Sequence, residues 1–175
     1  MIDLGLARMV DARSAGEAGQ RVFHLRMLGE AGDSAALKLE KEHVLGVRMG
    51  LRELLGQLGY SGGKPSSPAG DFPEAPRYEF AVGRLGLGFS EPEKAIVLEA
   101  REAVPEEDQD AVLLRVRFSQ EQGAALVQQL EEIIAAGRPT CGLCGLPVDP
   151  SGHACPKSNG RWQQPVPETP SGDEP

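Results

Sequence analysis

Aromatic side chains are scarce in this chain, with one tryptophan, two tyrosines and five phenylalanines among 175 residues. Single-stranded nucleic-acid binders stack bases on such rings, so the scarcity weighs against that function. Positive charge is also in deficit, and the net charge is −8. That balance argues against indiscriminate attraction to nucleic acid or anionic membrane, though not against a local basic patch. No apolar run reaches the roughly eighteen residues of a membrane-spanning helix. The opening "MIDLGLARMVDARS" has no basic start followed by an apolar stretch, so no secretory signal is visible. A cytoplasmic location is the expectation, with thiols kept reduced. Cysteine is rare as well, and an odd count of three fits a disulfide framework poorly. Neither a Walker loop nor a dinucleotide fingerprint occurs, and "GRLGLGF" lacks the strand-turn-helix setting of a phosphate loop.

What the chain does contain is one pattern written twice. "RVFHLRMLGE" (Arg21 to Glu30) parallels "KAIVLEAREA" (Lys94 to Ala103), and "ALKLE" (Ala36 to Glu40) parallels "LLRVR" (Leu113 to Arg117). Leu37 and Leu39 alternate with Lys38 and Glu40, and Leu114, Val116 and Phe118 alternate with Arg115 and Arg117. A period of two marks half-buried strands. Val47, Leu51, Leu54 and Leu55 then recur at the spacing of Leu126, Leu130, Ile133 and Ile134, which marks helices with one apolar face. Ser119 followed by Glu121 and Gln122 predicts a helix start, and Gly137 before Arg138-Pro139 a stop. Earlier strands are expected over roughly Leu6 to Ala12 and Glu79 to Phe89, the second bent or bulged at Gly83, Gly86 and Gly88. The expected fold class is α+β. Two tandem strand-strand-strand-helix repeats, residues 1–60 and 77–137, form an antiparallel sheet with both helices on one face. A Pro/Gly/Ser linker, 61–76, joins them. A small zinc-binding segment, 138–161, and a disordered proline-rich tail, 162–175, complete the chain.

The zinc segment, "CGLCGLPVDPSGHACPKSNG", holds every cysteine and one of the three histidines. Cys141 and Cys144 have the two-residue gap of a thiolate knuckle, and Gly145 can take the positive φ that closes such a turn. His153 and Cys155, two apart, face the same way on an extended chain. Three sulfurs and one imidazole nitrogen match a closed tetrahedral zinc site, one Zn2+ per chain, with Asp149 a substitute if His153 cannot reach. Pro147 disfavours the helix a redox Cys-x-x-Cys would open, and a closed site favours structure over hydrolysis.

The tail "RPTCGLCGLPVDPSGHACPKSNG", the strand "YEFAVGRLGLGF" and the helix-opening "LEKEHV" resemble a family of uncharacterised actinobacterial proteins. The resemblance runs from about Met1 to Arg161 and implies a fold unit and a metal site, but no reaction.

His24 and His43 are isolated and form no recognisable triad. On the sheet face away from the helices, Arg26, Lys38, Arg101, Arg115 and Arg117 outnumber Glu40 and Glu99. Of these, Arg26, Lys38, Arg115 and Arg117 make a possible anion-binding surface, against the alternative of ordinary cross-strand ion pairs. The expectation is a non-catalytic, zinc-bearing module that binds a protein partner and no membrane. Single-stranded nucleic acid or another polyanion is the alternative ligand, disfavoured by net acidity, and an enzyme of unknown reaction the alternative class.

Overall fold

The computed structural model describes residues 1–16, 20–62, 71–104, 111–137, 141–145, 148, 153–157 and 162–163. The chain divides into two compact units; Met1–Gly16 and Arg21–Ala135 make the first, and the cysteine segment belongs to the second. In the first unit the order is β1 (Ile2–Ala15), β2 (Val22–Gly29), β3 (Ser34–Leu39), α1 (Lys41–Gln57), β4 (Tyr78–Ser90), β5 (Ala95–Glu102), β6 (Leu113–Phe118) and α2 (Gln120–Ala135). The second unit adds the short strands β7 (His153–Ala154) and β8 (Trp162–Gln163). The architecture is therefore α+β, with a six-stranded sheet and two helices.

Alternation buries Leu25 and Met27 on β2, Leu37 and Leu39 on β3, Ile96 and Leu98 on β5, and Leu114, Val116 and Phe118 on β6. These side chains and the helical stripes Val44, Val47, Leu51, Leu55 and Leu126, Leu130 make one continuous hydrophobic core. Leu54, Ile133 and Ile134 pack against it half-buried. Polar side chains on α2 complete the fit to β1. Gln129 accepts the Ala12 N–H at 2.8 Å, and Gln122 donates to the Ala7 carbonyl at 2.9 Å. The two helices are tied to each other by Arg52 and Glu131 at 3.1 Å.

The strands do not form the expected antiparallel sheet. They close into a barrel in the order β1-β2-β3-β4-β5-β6. Four of its pairings are antiparallel, but β3 with β4 and β6 with β1 are parallel. The reason lies in α1. A helix between β3 and β4 carries the chain back to its starting end, so β4 leaves in the same direction as β3, as a crossover connection requires. Side-chain alternation reports which face of a strand is buried and not which strand lies beside it, so the closure is invisible to periodicity.

Of the three glycines expected to bend β4, one does so. The register slips between Val82 and Arg84. A Cβ on Gly83 would lie 3.0 Å from the Ala103 backbone, so a side chain at the bulge would crowd the neighbouring chain. From Arg84 to Ser90 the pairing with β5 is regular.

The linker's residues 63–70 and the acidic residues 105–110 lie outside the described residues, as does the proline-rich tail from 164 onward. Trp162 and Gln163, assigned to that tail by composition, instead pair with Ala154 and His153.

Candidate metal centre

The turn from Cys141 to Gly145 is closed by the Gly145 N–H, which donates to the Cys141 carbonyl at 2.8 Å. Gly145 has φ +73°, a conformation glycine adopts without strain. The turn aims the backbone N–H groups of Cys144 and Leu143 at the Cys141 sulfur, and these hold its thiol below the ordinary thiol range. Of the second pair, His153 lies on β7, whose partner β8 sets it opposite Gln163, and Cys155 directly follows the strand. Cys141, Cys155 and Val148 are buried together, with Cys144 packed against them, so the sulfurs sit in a small apolar cluster of their own.

The four ligand atoms lie within 4.8 Å of one another. Cys141 Sγ and Cys155 Sγ are 3.8 Å apart. Zn–S bonds of about 2.3 Å would set tetrahedral sulfurs about 3.8 Å apart, so this edge is already that of a metal site. Cys144 Sγ and His153 Nε2, at 3.2 Å, need to open by a few tenths of an ångström. His153 Nδ1 is buried without a hydrogen-bond partner among the described residues, which leaves Nε2 as the nitrogen turned to the sulfurs. The cluster can hold a metal ion. Asp149, the substitute ligand, lies outside the described residues.

The basic residues expected on the outer face do not gather into one surface. Arg26 makes two bonds to Asp11, at 2.8 and 2.5 Å, and stacks over the Phe72 ring at 4.8 Å. Asp11 is 1% exposed, and its carboxylate holds the Arg26 guanidinium above its usual pKa. Arg115 pairs with Glu99 at 2.5 Å. Arg117 lies between Glu93 and Asp3. Lys38 is exposed on β3, three strands around the barrel from Arg115 and Arg117 on β6. The four cations are thus not brought together, and three carry carboxylate partners. Asp11 was missed in the sequence because its partner Arg26 lies across a ladder whose register only the fold reveals.

The remaining histidines have local duties. His43 Nδ1 accepts the Glu40 N–H at 3.2 Å and so caps the start of α1. His24 is half-buried on β2, opposite Lys38.

No helix among the described residues is long and apolar enough to cross a membrane. None of the curated proteins compared with the chain matches it. The model of a family described as a protein of unknown function, DUF3090, matches residues 6–155. Since that span takes in most of the barrel, both long helices and all four cysteine and histidine ligands, the chain belongs to the DUF3090 family.

Proposed function

We propose that Cys141, Cys144, His153 and Cys155 bind one Zn2+ in a structural site, and that the protein is a non-catalytic cytoplasmic module that binds a protein partner. The observation that carries the zinc assignment is the convergence of three sulfurs and one imidazole nitrogen within 4.8 Å. Soft thiolates with one imidazole suit zinc in tetrahedral geometry, and four protein ligands leave no coordination position for a reacting water. The duties of the imidazoles support the non-catalytic half. One belongs to the cluster, and His43 is engaged in capping a helix. The ion pairs of Arg26, Arg115 and Arg117 count against a polyanion as the ligand.

Elemental analysis of protein purified without a metal-binding tag tests the metal. One zinc per chain is expected; a metal-free protein whose 141–157 segment stays ordered overturns the assignment. Cross-linked capture from native cytoplasm tests the module, with a reproducible stoichiometric protein partner expected. Substrate turnover that is lost on His24→Ala would replace the module with an enzyme.

A further inference from the structure

The outer face of the β4–β5 hairpin holds an arrangement that the barrel does not need. Arg84 and Arg101 are direct cross-strand partners. Both are exposed, and neither has an ion-pair or hydrogen-bond partner among the described residues. Like charges placed directly opposite each other destabilise a ladder, so the pair is a local cost to folding. The next rungs on the same face are Gly86 with Glu99 and Gly88 with Val97. They line an open groove of about 270 Å³. Glu99, the groove's one charged lining residue, is already engaged by Arg115, and the Arg84–Arg101 pair stands on the adjoining outward rung.

The glycines have no conformational reason to be there. A Cβ on Gly86 or Gly88 would meet nothing within 4 Å, and neither residue has a positive φ. Gly83, three residues earlier, is the contrast, since its Cβ would crowd the Ala103 backbone at 3.0 Å. Glycine inside a regular strand weakens it, and a β-branched residue would suit both positions better. Two consecutive outward positions are thus left bare at a cost to the sheet, immediately beside two charges with no counter-charge bonded to them among the described residues.

We propose that this groove receives an extended acidic segment of a partner protein. One aspartate or glutamate carboxylate is held between Arg84 and Arg101, and an aromatic side chain further along lies flat on the backbone of Gly86 and Gly88 against Val97. Outward rungs are about 6.6 Å apart, which is the spacing of alternate side chains in an extended peptide. The groove is too open to enclose most of a small molecule, as small-ligand sites do. A nucleic-acid strand would carry its second phosphate past the Arg pair toward Glu99, whereas one carboxylate needs only the pair. The proposal rests on the binding-module reading, and it is independent of the zinc.

Fluorescence polarisation with labelled, end-blocked pentapeptides provides the test. The probe is Glu-Thr-Trp-Thr-Trp, with a Lys-for-Glu version, an Ala-for-Trp version and oligothymidylate as comparators. Saturable binding of the first alone is expected. The double variant Arg84→Ser/Arg101→Ser should weaken it about tenfold, as should Gly88→Val by filling the floor, each corresponding to about 1.4 kcal/mol. Gly88→Val should meanwhile raise the melting temperature or leave it unchanged, and zinc content should not move, so a loss of fold cannot be mistaken for a loss of site. Three results overturn the proposal: no saturable binding of the acidic aromatic peptide, equal binding of the Lys version, or binding indifferent to both variants. Arg-dependent binding of oligothymidylate in place of the peptide also overturns it, in favour of nucleic acid. If the native partner is still captured by Gly88→Val protein, the groove is wrong while the module reading stands; if no partner is captured from any source, that reading falls by itself.

Discussion

Cys144 is the thiol least protected by the apolar cluster, whereas Cys155 is fully buried. Replacing Cys144 with serine leaves a poor ligand and should cut zinc content sharply. His153→Ala leaves three thiolates, so affinity should fall without vanishing; competition with a chromophoric chelator measures both. Acid should also release the metal, because bound sulfurs must be thiolates. For Cys141 the sign follows from its depressed pKa. Its contribution is full above the ordinary thiol value and is lost as pH falls through the lower value of the folded state. The pH dependence of thiolate ultraviolet absorbance in the metal-free protein checks this. On the barrel, Asp11 is the residue whose loss should hurt most among the polar ones. Asp11→Ala strands the guanidinium of Arg26 and should cost about 2 kcal/mol in urea denaturation, the scale of a charge-assisted hydrogen bond. Arg26→Glu should be worse, since it sets two carboxylates together. Charge reversal at Arg26 therefore reports on folding before it reports on any ligand.

At the level of elements, the α2 start is held by a reciprocal pair. Ser119 Oγ accepts the Gln122 N–H at 3.2 Å, and Gln122 Oε1 accepts the Ser119 N–H at 2.9 Å. Ser119→Ala should cost about 1 kcal/mol by thermal or urea melting. Glu121 is held below its ordinary pKa, first by its own backbone N–H and then by Ser119. A depressed carboxylate stabilises above its ordinary value and loses that effect as pH falls through its folded value, so Glu121→Gln should flatten the acid limb of a stability–pH profile. This helix was legible in the sequence because its apolar period, its Ser-x-x-Gln start and its terminal glycine agree. The α1 start was less so, because a Glu-x-x-His cap is an uncommon version of the same device. Strand faces were legible from alternation, and the cysteine pair from its spacing. The β7–β8 ribbon was not, because two-residue strands have no period to read.

For the whole molecule, barrel closure makes the two halves interdependent. A fragment ending at Gly59 would keep β1 to β3 and α1 while losing the partners of β1 and β3 at both open edges. It should be unfolded or aggregated, and cooperative monomeric melting of the fragment, followed by circular dichroism, would count against a shared core. The repeated patterns in the sequence fall on β2, β3 and α1 and on β5, β6 and α2, but parallel pairing joins segments that no local pattern connects. That pairing also has a consequence in time. Ile2 meets Leu114, so β1 waits for a segment more than a hundred residues away before its second edge is satisfied. The loop-closure entropy of such a contact is spent before the contact stabilises anything, which slows folding relative to hairpins of the same stability. During synthesis β1, β2 and β3 emerge long before β6 does, and for that interval β1 exposes an unpaired edge. The nascent chain is therefore most prone to mispairing between the appearance of β3 and that of β6, a window that pulse-labelled hydrogen exchange on the refolding protein would show as late protection of β1.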